Sequence, residues 1–295
     1  MRQGIQTLVV IGVGLIGGSF ALSLKRAGRV ARVIGVDRSA ENLQRARELG
    51  VVDDISHDAC QAVRDADLVL LATPVGQMGP ICKAIAPFLS PHTLISDVGS
   101  TKGDVVEALR SSLPGQLTRC VPAHPIAGSE LSGATAAQYG LYENRNVVLT
   151  PLPETDADAI ECLTGLWQSC GATIHCLTPA EHDHVFAAVS HLPHLLAFSY
   201  VNTVADKADA ERCLAFASTG FRDFTRIAGS SPEMWRDVCL ANRTALLAEL
   251  ADYRAELDRL ISLVESGDAR SLTERFDRAR LVRSAWHQRF QRKIT

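Results

Sequence analysis

The sequence has no Cys-x-x-Cys pair, no surplus of positive charge and no long uninterrupted apolar run, and each lack removes a class of function. Its eight cysteines scatter from Cys60 to Cys239 without regular spacing, which excludes a zinc knuckle or a disulfide frame and reads as ordinary reduced thiols. The formal charge is -3, with Lys and Arg spread along the chain, so there is no electrostatic case for nucleic acid or an anionic membrane as partner. No apolar stretch approaches the ~20 residues that a bilayer span needs. Behind Met1 the chain reaches a strand within a few residues, which leaves no room for a signal peptide, and a cytoplasmic protein is expected.

What is present fits a folded chain of two domains. There are 295 residues, 46% of them hydrophobic, enough for a sizeable core and longer than one ordinary domain. "QTLVVIGVGLIGGSFALSLKRAG" reads as strand, tight turn, helix, with an apolar run to Ile11 and helical spacing through Ile16, Phe20 and Leu24. "ARVIGVDRS" is a second strand, followed by Ser39 as the cap of a helix over Ala40 to Leu49. "DADLVLLATPV", "HTLISDVGS" and "RCVPAH" are read as third, fourth and fifth strands, with helices between them. That alternation implies a parallel sheet covered on both faces, an α/β domain of the Rossmann type. "NVVLTP" and "GATIHCL" add two strands around a helix from Asp156 to Cys170.

After residue 177 strand signals stop. Thr178, Pro179 and Glu181 form a capping box that opens a helix, and Pro193 predicts a kink within the helical stretch that follows. "SSPEMW" to "VESGD" is read as one long helix and "SLTERF" to "RFQR" as another. The expected domains are 1–177, dinucleotide-binding, and 178–295, all-α. The stripe Leu246, Leu250, Leu257, Leu260, Leu263 and Val264 points to a homodimer through the helical domain, or to packing within that domain.

Gly12-Val13-Gly14-Leu15-Ile16-Gly17 matches G-x-G-x-x-G, and Asp37 stands twenty positions past Gly17 at the end of the next strand. Strand, glycines, helix and acid together point to a dinucleotide site. Gly12 permits the turn, Gly14 lets the pyrophosphate approach, Gly17 lets helix and strand pack, and the amides opening the helix at Leu15 and Ile16 face the phosphates. Asp37 suits a ribose diol and repels a 2'-phosphate, which favours NAD. Arg38 beside it leaves NADP open.

Three motifs end strands on the edge where such sheets bind ligands: "ATPV" with Thr73 and Pro74, "DVGSTK" with Ser100, and "PAHPIAG" with His124. A neutral histidine there can take a hydroxyl proton while hydride leaves the same carbon, and Ser100 can fix the geometry. Alone, His124 reads first as a satisfied loop histidine, and its expected place beside the nicotinamide reverses that reading. His182, His184, His191 and His194 crowd one helical region but lack a Glu-x-x-His or Cys partner, so no metal is expected. His191 is either structural or a substrate contact, and Arg226 by itself suits a surface ion pair.

"GVGLIGGS", "DVGSTK", "HPIAGSE", "SHLPH" and "GFRDFTRIAGSSPEMW" together resemble the prephenate/arogenate dehydrogenase family of tyrosine biosynthesis, across nearly the whole chain. The resemblance implies an NAD- or NADP-dependent oxidative decarboxylation of a cyclohexadienol. His124 would be the base, Ser100 its hydrogen-bonding partner and Ser129 a substrate contact. His194 would bind the side-chain carboxylate and Arg226 the ring carboxylate, with Glu130 and Asp223 pairing with that arginine at the mouth of the site. Ser218 and Thr219 stand where relatives are richer in glycine. No mutase-like segment and no appended regulatory domain is expected. The alternatives are a beta-hydroxyacid dehydrogenase, whose helical-domain lysine has no counterpart here before Lys207, and an NAD sensor without chemistry.

Overall fold

The computed structural model describes residues 4–129 and 131–291. Five parallel strands, β1 (Ile5–Ile11), β2 (Val30–Val36), β3 (Asp54–Ser56), β4 (Leu68–Leu71) and β5 (Leu94–Asp97), form a sheet in the order β3-β2-β1-β4-β5. A strand's side chains alternate between faces, and here the alternation separates two cores. Leu8, Val10, Leu68 and Leu70 enter one buried cluster, while Val9, Ile11, Val69 and Leu71 enter the other. Burial on both faces is why these strands read as continuous apolar runs.

A second sheet, in the order β6-β7-β8, comprises β6 (Ala123–Pro125), β7 (Asn146–Leu149) and β8 (Thr173–Cys176). The segment "RCVPAH" therefore is not a fifth member of the parallel sheet. It meets β5 through the Ile95 and Cys120 bridge, the 2.8 Å bond from Val121 N–H to the Ile95 carbonyl, and bonds with the side chains of Ser96 and Asp97. The ladder stops because the Val121 carbonyl and the Ala123 N–H that would continue it bond to the side chains of Ser96 and Asp97, and the chain turns away to pair antiparallel with β7, His124 opposite Val148. The fifth place belongs to β3, three residues long and without a clear apolar pattern.

The caps expected from sequence are present. Ser39 Oγ accepts from Asn42 N–H, and Thr178 with Glu181 closes a full capping box on the helix Pro179–Phe186. The Pro193 disturbance takes the form of a π-helical segment, Ala187–His191, just before the helix Leu192–Ala205. Such widened turns accommodate a residue that cannot hydrogen-bond normally and often sit at functional sites. The expected single helix beyond Pro232 is broken. One helix runs Pro232–Ala241, buried Asn242 leaves helical geometry, and another runs Arg243–Ser266. Asn242 spends its side-chain amide on the Asp183 carbonyl at 2.7 Å and on His191 Nδ1 at 3.1 Å, the competition with helical bonding that asparagine brings.

By compactness the chain divides into Met1–Arg243 and Thr244–Thr295. The second unit is a helical hairpin in which Ser266 is followed by Gly267 at φ 65°, the left-handed conformation glycine supplies. Arg275 pairs with Glu256 across it. Leu257, Ile261, Val264, Leu281 and Val282 are exposed on its surface. All eight cysteines are free thiols. Among the described residues no helix is long and apolar enough to cross a membrane.

Candidate active site

The glycine loop is shaped from the backbone outward. Gly12 has φ 98°, and a Cβ there would lie 2.5 Å from the Ala72 carbonyl oxygen. A Cβ on Gly17 would lie 2.7 Å from the Gly12 carbonyl and 2.8 Å from Val10 Cγ1. A Cβ on Gly14 meets nothing within 4 Å, so its bareness serves open space and not internal packing. Gly14 also precedes the helix Leu15–Arg26 with no side-chain cap and no acid in the first turn, leaving amide dipoles free for an anion. Leu15 is buried in the core, and the Ile16 carbonyl accepts the Tyr142 hydroxyl at 2.6 Å.

Beside this loop lies a cavity of about 520 Å³ whose lining includes Gly12, Gly14, Asp37, Arg38, Thr73 and Pro74. Its volume is within the range of small-ligand sites. Thr73 Oγ1 is buried without a hydrogen-bond partner. Asp37 is held rigidly: Oδ2 accepts from Val13 N–H and Asn42 Nδ2, both at 3.2 Å, and Oδ1 accepts from Ser39 N–H at 3.0 Å. Asn42 also accepts from Ala134 N–H at 2.7 Å, tying the loop after the histidine motif to the Asp37 corner of the cavity. Glycine cradle, bare helix terminus, fixed acid and an unpartnered threonine fit a dinucleotide.

On the neighbouring strand ends, Asp97 closes β5 and is 1% exposed, and Lys102 beside it is 0% exposed. They form a buried ion pair, and Asp97 also accepts from Gly99 N–H at 2.7 Å and Ala123 N–H at 3.1 Å. This anchors the start of β6 and so places His124. Burial raises the Asp97 carboxyl above its ordinary range despite Lys102.

His124 is half-buried. Its Nδ1 lies 2.8 Å from His182 Nε2, and His182 Nδ1 lies 2.8 Å from Asp183 Oδ1. The Asp183 carboxylate further accepts from Lys102 N–H and Gly103 N–H, each at 2.8 Å. Burial, then the neighbouring His182, Lys102 and His191, hold His124 well below the ordinary imidazole range. A base that stays neutral in a confined site is suited to accept a proton.

Of the other expected residues, His191 is buried, with Nδ1 against Asn242, and burial lowers its pKa to about 4. Its Nε2 has no well-formed hydrogen bond, although the Ser100 backbone lies near enough to favour its protonated form. Ser100 is half-buried, and no hydrogen bond joins it to His124 among the described residues. Ser129 is exposed, its Oγ accepting from Leu131 N–H at 3.3 Å. His194 donates from Nδ1 to the Ser190 carbonyl at 2.8 Å and stacks on Trp235 at 3.6 Å. Burial and the positive charge of Arg226 keep it neutral, against the pull of the Ser190 carbonyl. Arg226 is exposed. Asp223 pairs with Arg222 at 2.9 Å, not with Arg226. Glu130 lies outside the described residues. Among the described residues no three His, Cys, Asp or Glu side chains group closely enough to hold a metal ion. Sequence reasoning passed over Lys102, Asn42, Asp183 and the His182 contact, whose bonds to Asp183, Ala134, Lys102 and His124 span 58 to 92 positions.

A dinucleotide cradle in the parallel sheet, together with a neutral imidazole on the strand that follows β5, fits a dinucleotide-dependent oxidoreductase. The chain belongs to the prephenate dehydrogenase family. Its nucleotide-binding domain model matches residues 20–176 and its dimerization domain model residues 178–278. Cyclohexadienyl dehydrogenase of Zymomonas mobilis is 37% identical over 94% of this chain and 95% of its own. Prephenate dehydrogenase from A. aeolicus, solved with hydroxyphenyl propionate and NAD+, superposes with a TM-score of 0.91 at 34% identity, covering 97% of this chain and 99% of that one. Synechocystis arogenate dehydrogenase does so with a TM-score of 0.80 at 32% identity, covering 95% and 100%.

Proposed function

We propose that the chain oxidises and decarboxylates prephenate, arogenate or both, with NAD as hydride acceptor and His124 as base. The observation that carries the reading is the neutral His124 imidazole, bonded to His182 and carried on a strand whose start is tied to Asp97 at the end of β5, in a chain of this family. Held by the cradle of Gly12, Gly14 and Gly17 and by Asp37, NAD would supply the acceptor for the hydride of the ring carbon that bears the hydroxyl. His124 takes the hydroxyl proton, and the electron pair of that O–H bond closes the ketone. The bond to the ring carboxylate then breaks, carbon dioxide leaves, and its electron pair makes the ring aromatic. The proton held on His124 is available to the resulting phenolate oxygen, so no net acid is required.

The remaining residues serve position more than chemistry. Arg226 offers a fork matched to the ring carboxylate, which must be held until it departs, and exposure keeps it at the mouth, with Asp223 and Glu130 as the acids of that entrance. His194, fixed by Ser190 and Trp235, is assigned to the side-chain end of the substrate, where its other nitrogen donates to the carboxylate only once the ring takes up a proton. Ser100, Ser129 and His191 complete the wall, and Gly12, Gly14, Leu15, Ile16, Gly17, Asp37, Arg38, Thr73 and Pro74 hold the cofactor. Asp37 favours NAD over NADP. The functional division falls at residue 177, where the helical part begins. The exposed apolar surface of Leu257, Ile261, Val264, Leu281 and Val282 is suited to a second copy of the chain, giving a homodimer. A cytoplasmic enzyme is consistent with eight free thiols.

The test is His124→Asn. The reading expects turnover to fall by about 10²–10⁴-fold, the worth of a positioned base, with NAD binding unchanged. A variant that keeps its rate removes His124 from the chemistry.

A further inference from the structure

Resting on the reading of His124 as the base, we propose that His182 and Asp183 are positioning residues behind it. They fix which ring nitrogen of His124 meets the substrate, and they stabilise the charge that forms there. The argument runs outward from the carboxylate. Asp183 receives two backbone N–H groups, from Lys102 and Gly103. Burial works against its ionisation, but His182 and those two N–H groups hold it below the usual carboxylate range. An ionised carboxylate only accepts hydrogen bonds, so His182 Nδ1, 2.8 Å from Oδ1, carries a proton.

Burial keeps His182 neutral, the pull of Asp183 notwithstanding. A neutral imidazole has one N–H, so His182 Nε2 is bare and must accept. The atom 2.8 Å from it is His124 Nδ1, which therefore donates. Neutral His124 thus has its proton on Nδ1 and a bare Nε2, the tautomer a base needs. Which nitrogen bears the proton is set by the partner of the other one.

The same chain answers the charge created by catalysis. When the substrate O–H bond breaks and its proton binds His124 Nε2, the ring becomes an imidazolium with Nδ1–H still directed at His182. Asp183 lies one ring further and is negative. The other groups facing this cluster are Lys102, whose charge opposes the imidazolium, its buried partner Asp97, which offsets it, and His191, which stays neutral. The arrangement is held firmly: the capping box starts the helix bearing His182, Phe186 packs on both rings, and Asn242 binds the Asp183 carbonyl.

The test begins with the unmodified full chain. Selective ¹⁵N labelling of histidine, assigned with His124→Asn, reports by NMR which His124 nitrogen bears hydrogen at neutral pH. Nδ1–H supports the relay and Nε2–H overturns it, independently of any relay variant's folding. Kinetics supply the second arm. His182→Leu removes the acceptor and lowers kcat by about 10–10²-fold while the Kd for NAD is unchanged. His182→Gln, whose side-chain oxygen can accept from Nδ1–H, recovers most of that rate, a rescue that a purely structural loss would not give. A His182→Leu enzyme with the parental kcat, alongside an inactive His124→Asn, sinks the relay and leaves the base. An active His124→Asn sinks both.

Discussion

Replacing Lys102 by Met strands a carboxylate where water cannot reach it. Lys102 and Asp97 are 0% and 1% exposed, and after the substitution Asp97 retains only the Gly99 and Ala123 N–H groups. Breaking a buried pair by removing one partner costs about 3–5 kcal/mol, against a total stability of about 5–15 kcal/mol for a folded protein. At about 2–4 °C per kcal/mol for a domain of some 150–250 residues, Lys102→Met should lower Tm by about 6–20 °C. The double variant Asp97→Asn with Lys102→Met removes both charges but sets an amide NH2 against either the Gly99 or the Ala123 N–H, so it should recover part of the loss of Lys102→Met. The sign with pH follows from Asp97. Without Lys102 its folded pKa rises further above the unfolded value, so the stabilising protonated form is full below the unfolded carboxylate pKa and is lost as pH rises. The deficit of Lys102→Met relative to the parent should therefore grow from acid towards neutral pH. Thermal and urea unfolding of the four proteins of the cycle measure this. A Lys102→Met loss under about 1 kcal/mol, or a double variant no better than the single, would refute the account of Asp97 as anchor of β6.

Gly17→Ala places a methyl 2.7 Å from the Gly12 carbonyl, and should cost about 1–3 kcal/mol of stability as overpacking does together with a raised KM for NAD; an unchanged KM would mean the loop yields without moving the cradle. Asp37→Asn removes the charge that opposes a 2'-phosphate and leaves Arg38 in place, so the NAD to NADP ratio of kcat/KM should fall by tenfold or so, as a loss of about 1.4 kcal/mol in discrimination gives, and a constant ratio would assign selectivity elsewhere. The acid limb of kcat/KM should lie below the ordinary imidazole pKa of about 6.5, because burial lowers the His124 value: the neutral base persists as pH falls and is lost only through the depressed pKa. A limb at or above the ordinary value would place His124 in a wetter setting. Val282→Lys puts a charge on the exposed apolar surface of the C-terminal hairpin and should shift the chain to monomer by light scattering, with a persistent dimer excluding that surface.

The dinucleotide corner was legible because its signal is local. Gly12, Gly14, Gly17 and Asp37 carry their meaning in spacing and in one strand-turn-helix unit, and Ser39 and Thr178 announce their helices by capping chemistry alone. The second sheet was not legible, since the fate of "RCVPAH" turns on the Ser96 and Asp97 side chains taking the backbone groups that would extend its pairing with β5, while β7, some twenty residues on, offers a partner. Strand β3 hid for a related reason, being short and paired on one edge only. Asn242 looked like one more helical residue, and only its long-range bonds to Asp183 and His191 explain the break. His124 was visible as a candidate, but what tunes it was not. His182 lies 58 positions away, and its role follows from a capping box that orients the helix and from backbone N–H groups of the "DVGSTK" loop that fix Asp183.

The central claim is that this chain couples hydride transfer to loss of the ring carboxylate. The most direct measurement is the initial rate of NADH formation with prephenate and with arogenate offered separately, alongside carbon dioxide released. The account predicts turnover with at least one of them and one carbon dioxide for each NADH. Tight NAD binding without turnover of either substrate, or NADH formed without carbon dioxide, would contradict it.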